Sequence, residues 1–291
     1  MSRVLNLKSY AKINFSLKVL GRRPDGFHDI DSLIQNISLH DDIKIQETSH
    51  GITVSCIYPG VSQGKDNIAY KAAEEFFNFT GIDKGVDISI EKRIPVASGL
   101  GGGSSNAAAV LIGLDKMFGL NISKMKMLGL AEGLGSDVPF FIEGGTVRCR
   151  GRGEAIEKLP PSPETWIALV VPRFEVKTKS AYDEYDRILA FRLRRKEAPK
   201  LSSPEISSWA TSSILHNDLE EAVAAKHKEI TKIKGLLLSL GAVGAAMSGS
   251  GPAVFGLTQD EASAKRICDR LKKDYPRAFL VKTVDKSVEL G

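Results

Sequence analysis

The chain has 291 residues, 42% of them hydrophobic, enough to bury one or two substantial cores. The net charge is +5, which suits an anionic substrate as well as a nucleic acid, and with no DNA- or RNA-binding signature beside it no nucleic-acid partner is expected. Three scattered cysteines (Cys56, Cys149, Cys268) and five histidines without H-x-x-x-H spacing exclude a disulfide framework and a zinc site as expectations. No apolar run reaches membrane-spanning length and residues 1–8 hold no signal-peptide core, so a cytoplasmic protein without membrane partners is expected.

Taken in order, Ile13, Phe15, Leu17 and Val19 alternate with Lys12, Asn14, Ser16 and Lys18, the period of a half-buried strand. Lys12 and Asn14 then leave one face about 7 Å apart at ordinary strand rise. In such a pattern a lysine taken alone reads as solvent-facing. Residues 21–26 are turn-rich, and strands are expected at 43–46 and 52–56. Asp66-Asn67-Ile68 opens a helix that stops near Gly81, with Asn67 in the cap position. A strand at 86–90 follows, then a glycine-rich segment, a helix from about Ser105 to Phe118 and another from Ser123 to Leu134. Asp137, in Gly135-Ser136-Asp137-Val138-Pro139, reads either as a turn cap or as an acid held among apolar residues for chemistry.

A strand begins near Gly144, and the Gly- and Pro-rich stretch 151–163 marks a soft boundary between segments 1–157 and 158–291. Beyond it come a strand at 166–171 and helices at 179–194, 219–226 and 230–240. Strands at 243–247 and 253–257 then bracket the turn Ser248-Gly249-Ser250-Gly251-Pro252, before a helix at 260–273 and a strand at 278–284. That order suggests an α+β layer close to the ferredoxin-like arrangement. The basic stretch 187–200, with Arg192, Arg194, Arg195 and Lys196, reads as a solvated helix face.

The most informative segment is Pro95-Val96-Ala97-Ser98-Gly99-Leu100-Gly101-Gly102-Gly103-Ser104-Ser105, running into an Ala-rich helix. A loop with so little side chain lets backbone N–H groups approach an anion, and the helix behind it adds unpaired donors and the positive end of its dipole. It is not a P-loop, since no Gly-Lys-Ser or Gly-Lys-Thr occurs. It is not a dinucleotide fingerprint either, since Ser104 stands where the third Gly belongs.

This wording resembles the ATP-binding motif of the GHMP kinases, the superfamily of galactokinase, homoserine kinase and mevalonate kinase. The third Gly of the run and the Ser-Ser-Asn-Ala after it resemble, more narrowly, the members that phosphorylate 4-diphosphocytidyl-2-C-methyl-D-erythritol in non-mevalonate isoprenoid synthesis. Lys12-Ile13-Asn14 with Pro24-Asp25-Gly26-Phe27-His28 is similar to the superfamily's first motif, and Ala246 to Pro252 to its third. The resemblance therefore covers nearly the whole chain.

It implies a two-domain α+β GHMP kinase fold. The first domain would be α/β, ribosomal-protein-S5-domain-2-like, the second ferredoxin-like, with the active site between them. It implies ATP as phosphoryl donor with Mg²⁺, whose protein ligands the motifs do not identify, although the hydroxyls of Ser104 and Ser105 are available. Pro95 to Ser105 and Asn67 would contact the nucleotide. Asp137 would act as general base, Lys12 as its cationic partner and Asn14 as a hydrogen-bonding neighbour of the acceptor. Phe27 would stack on the cytosine, His28 would hydrogen-bond it, and Tyr182 would form the second ring of a sandwich with Thr178 nearby. Phe27 stands where relatives commonly carry Tyr, keeping the ring without the hydroxyl. Two other readings stay open: a kinase of mevalonate- or homoserine-type acceptors, which the Phe27-His28 pair disfavours, and a catalytically silent nucleotide-binding protein, which Lys12 and Asp137 disfavour.

Overall fold

The computed structural model describes residues 2–194 and 212–291; Arg195 and Lys196 of the basic stretch lie outside them. Its first sheet is built on a long antiparallel pair, β1 (Val4–Arg22) and β2 (His28–Thr48). β1 is buried on both faces from Ser9 to Leu17, so the polar stripe is internal, and Lys12 is only 4% exposed. The solvent-facing reading of Lys12 fails because the glycine loop at Gly101 and the turn at Gly249 lie against its side chain. The first half of β2 escapes the alternation test because Ser32, Gln35 and Asn36 are buried polar residues that mask its apolar period.

The short strand β3 (Ile52–Ser55) runs parallel to β4 (Gly85–Glu91), and β4 pairs with the far end of β2, from Asp42 to Thr48. β5 (Thr146–Gly151) pairs with the near end, Ile30 to Gln35, and with β6 (Ala155–Lys158). In the interval between these two partners, Ile37 of β2 forms an isolated antiparallel bridge with Thr283. The segment that follows β4 meets the end of the same interval at Asp41.

Four helices cover the sheet: α1 (Ile68–Thr80), α2 (Gly102–Phe118), α3 (Lys124–Leu134) and α4 (Val138–Glu143). Ala107, Ala108 and Ala109 of α2 are wholly buried in the resulting core, with Ile45, Ile88, Phe76 and Phe141. α2 starts at Gly102, earlier than the pattern indicates, because the loop itself winds into the first turn. α4 begins right after Asp137, where Pro139 occupies an early helical position that needs no N–H partner.

The second sheet contains β7 (Trp166–Val170), β9 (Gly244–Met247), β10 (Val254–Leu257) and β11 (Ala278–Lys282), in the order β11-β7-β10-β9. Helices α5 (Thr178–Arg194), α6 (Asp218–Lys226), α7 (Glu229–Ser239) and α8 (Glu261–Leu271) complete it. Strand, helices, two hairpin strands, helix and strand make the ferredoxin-like arrangement expected. Two short strands return to the first sheet: β8 (His216–Asn217) lies parallel to β1 at Ser16 and Leu17, and β12 (Val288–Leu290) is antiparallel to β1 at Leu7 to Ser9. Among the described residues, no helix is long and apolar enough to cross a membrane.

Candidate active site

Three backbone bonds fix the glycine loop. Ser98 accepts from the Ala253 N–H at 3.1 Å, Leu100 accepts from the Lys12 N–H at 3.0 Å, and Gly101 accepts from the Ser105 N–H at 2.9 Å. Ser248, wholly buried in the turn between β9 and β10, adds a side-chain tie: its Oγ donates to the Gly99 carbonyl at 3.1 Å and accepts from the Asn14 N–H at 3.2 Å. Gly99 has φ +79°, and a Cβ there would stand 2.3 Å from the Ser248 carbonyl oxygen, so this contact excludes any side chain. The bond from Ser105 to Gly101 is the first of α2. The amides of Gly102, Gly103 and Ser104 therefore precede the helical ladder, and these residues line a cavity of about 1200 Å³.

Asp41 braces the approach to this loop. Its carboxylate is completely buried and accepts from the N–H groups of Arg93 and Ile94 (both 2.8 Å), from Asn106 Nδ2 (2.9 Å) and from Lys92 Nζ (2.5 Å). A buried carboxylate with four donors repays its desolvation only through such complete pairing. Neither Asp41 nor Lys92 belongs to a motif that sequence reasoning singles out. The signal available is no more than an acidic pair, Asp41-Asp42, just before the alternating Ile43 and Ile45.

Pro95, Val96, Ala97, Ser98, Gly99, Gly101, Gly102, Gly103 and Ser104 all line the cavity. Leu100 and Ser105 do not. The Leu100 side chain is fully buried in a hydrophobic cluster at the junction of the two layers, and Ser105 Oγ donates to the Tyr10 carbonyl at 2.6 Å beneath α2. Asn67 lines the cavity, but its side chain is spent on capping α1: Oδ1 accepts from the Ala69 N–H (2.9 Å) and Nδ2 donates to the Ser62 carbonyl (2.8 Å).

Beside the loop, Lys12 Nζ lies 3.7 Å from Asp137 Oδ2. Lys12 is held by Asn14, whose Oδ1 accepts from Nζ at 2.6 Å and whose Nδ2 donates to Ser32 Oγ at 2.8 Å. Asp137 makes no capping hydrogen bond to α4, which removes the turn-cap reading, and its side chain stays 44% exposed toward the cavity. A fixed ammonium beside an accessible carboxylate is a proton-transfer pair in form.

Phe27, His28, Thr178 and Tyr182 line the same cavity. Tyr182 stacks on His28, with centroids 4.7 Å apart and planes at 23°. Phe27 is half exposed and carries the Arg152 guanidinium over its ring at 5.1 Å. Burial, and then the charge of Asp137, push the Tyr182 phenol up to about 12. Thr178 Oγ1 is 3.1 Å from Ser250 Oγ, joining α5 to the turn after β9. His28 Nε2 is 2.9 Å from Asp186 Oδ1. Asp186 likewise lies outside every motif, although it stands one helical turn from Tyr182 and so on the same face of α5.

Comparison with known proteins agrees with this arrangement. Residues 67–145 match the GHMP kinases N terminal domain and residues 203–277 the GHMP kinases C terminal domain. A 4-diphosphocytidyl-2-C-methyl-D-erythritol kinase of Clostridium botulinum is 38% identical over 282 residues, spanning 96% of this chain and 100% of that protein. The chain belongs to the GHMP kinases, in the 4-diphosphocytidyl-2-C-methyl-D-erythritol kinase family. A solved structure of 4-(cytidine 5'-diphospho)-2C-methyl-D-erythritol kinase superposes with a TM-score of 0.77 at 31% identity, covering 97% of this GHMP kinase and 99% of that chain. Homoserine kinase from Cytophaga hutchinsonii superposes at 0.72 with 19% identity, covering 99% and 97%, a likeness of fold alone.

Proposed function

We propose that this GHMP kinase transfers the γ-phosphoryl group of ATP to the 2-hydroxyl of 4-diphosphocytidyl-2-C-methyl-D-erythritol, giving the 2-phosphate and ADP. The observation that carries the reading is one cavity lined by the glycine loop, by Phe27, His28 and Tyr182, and by the Lys12–Asp137 pair. Its mechanism follows from those positions. The free amides of Gly102, Gly103 and Ser104, at the positive end of α2, hold the donor's phosphates. Asp137 accepts the proton of the attacking hydroxyl as the new oxygen–phosphorus bond forms and the bond to ADP breaks. Lys12, fixed by Asn14, offsets the negative charge that develops on the acceptor oxygen.

Mg²⁺ is held by few carboxylates and keeps water and phosphate oxygens as ligands, so the Ser104 hydroxyl in the cavity wall suits it. Ser104, with the nucleotide's own oxygens, would hold it, and it would neutralise charge on the transferring phosphate. Asn14, Phe27 and His28, with Tyr182 and Thr178 behind them, would form the acceptor site.

The test is ADP release with MgATP and three acceptors: the cytidylylated methylerythritol, mevalonate and homoserine. Turnover with the first alone is expected, and turnover confined to either of the others would discard the acceptor assignment. Asp137→Asn is expected to lower kcat by about 10²–10⁴-fold. Near-normal kcat in that variant would remove Asp137 as the base.

A further inference from the structure

Among the described residues His28 is the one histidine in the cavity wall, and both neighbours that orient it come from α5. Tyr182 covers its face, and Asp186, one turn on, meets its edge at Nε2. The second oxygen of Asp186 lies 3.5 Å from Arg22 Nη1, so the carboxylate is pinned between a ring nitrogen and a guanidinium. The imidazole is nearly closed off, with 7% of its side chain exposed. Its other nitrogen, Nδ1, makes no hydrogen bond among the described residues. No unpaired polar side-chain atom is buried among them, so Nδ1 is open, and the residue's opening is to the cavity.

A carboxylate can only accept, so in the ring's neutral form the proton sits on Nε2 and Nδ1 presents a lone pair. We propose that Asp186 is a specificity-determining positioning residue: it fixes the His28 tautomer so that Nδ1 accepts from the 4-amino group of cytosine and repels the 4-oxo group of uracil. This rests on the reading above that His28 meets the acceptor's base. With the tautomer reversed, Nδ1–H would donate and would favour the 4-oxo base. A buried acceptor facing another acceptor leaves both unsatisfied, which is the strongest form of discrimination between isosteric ligands.

The experiment compares kcat/KM for the cytidylylated acceptor and its uridylylated analogue in the full-length protein. Wild type is expected to favour the cytidine compound by about 100-fold or more. In Asp186→Ala that ratio shrinks by about 10-fold or more, the loss of one directed hydrogen bond, through KM for the acceptor and not KM for ATP. Asp186→Asn, whose amide oxygen still accepts from Nε2, retains most of the ratio. An equal fall for both acceptors in Asp186→Ala, with the ratio intact, would overturn the assignment.

Nitrogen-15 NMR of histidine-labelled wild type gives a second, independent readout that no variant's folding can obscure. A His28 Nδ1 resonance of the unprotonated type is expected, and a proton on Nδ1 with Nε2 bare would refute the proposal. Should wild type turn over neither acceptor, the functional reading falls, and the NMR result still judges what Asp186 does to the ring.

Discussion

Tyr10, buried in β1, donates its hydroxyl to Glu289 Oε2 at 2.8 Å, and Lys286 Nζ meets the same oxygen at 2.6 Å. The Lys286 hydrogen bond, then that from Tyr10, hold the Glu289 carboxyl down at about 2. Burial, then the bond to Glu289, push the Tyr10 phenol up to about 12. The signs are opposite. Glu289 is more acidic folded than unfolded, so its contribution is whole above an unfolded value of about 4.3 and is lost as pH falls toward 2. Tyr10 is less acidic folded, so its contribution is whole below about pH 10 and is lost as pH rises through 12. Thermal unfolding followed from pH 5 to 2 should show a shallower fall in Glu289→Gln than in wild type; parallel curves would dismiss the contact as a source of acid sensitivity.

Residues of this kind also show what the sequence discloses. Lys12, Asp137 and His28 are picked out in the sequence because they stand in motifs similar to those of the GHMP kinases. Asp186 is not, since it meets His28 across 158 residues of chain and only tertiary packing joins them. Asp41 is hidden for the same reason, as its four donors come from β4's exit and from α2.

At the scale of elements, the glycine loop divides into two physically different parts. Gly99 combines a left-handed backbone with a Cβ position occupied by another backbone carbonyl, whereas a Cβ at Gly103 would meet only Ile68 Cγ2, at 3.7 Å, from an ordinary helical conformation. Gly99→Ala should therefore cost about 1–3 kcal/mol from backbone strain alone, before the clash is relieved. Gly103→Ala should be neutral or stabilising by up to ~1 kcal/mol, because Ala loses less entropy in a helix. Chemical denaturation of both variants settles the contrast, and equal destabilisation would contradict it. The longer elements are readable from period and punctuation, as with α1 between Asn67 and Gly81. β8, β12 and α4 are not, being two, three and six residues long, too short for any period to register.

For the whole molecule, the division of the chain at 157/158 stands as a proposal about order along the sequence. The first sheet takes strands from both sides of it, since β8 and β12 lie against β1. Residues 1–157 expressed alone should lack a cooperative thermal transition, and adding the segment 158–291 should restore one. A sharp transition in the first segment by itself would show that those two strands are dispensable to it.

The same pairing has a consequence in time. The strand that carries Lys12 leaves the ribosome well before the strand that closes its edge. Until residue 290 has emerged, Leu7, Lys8 and Ser9 present an open row of backbone groups to whatever lies nearby. A nascent chain stalled before β12 is thus exposed to wrong pairing along the strand that bears the proposed catalytic lysine, and the docking of β12 is the step that ends the exposure.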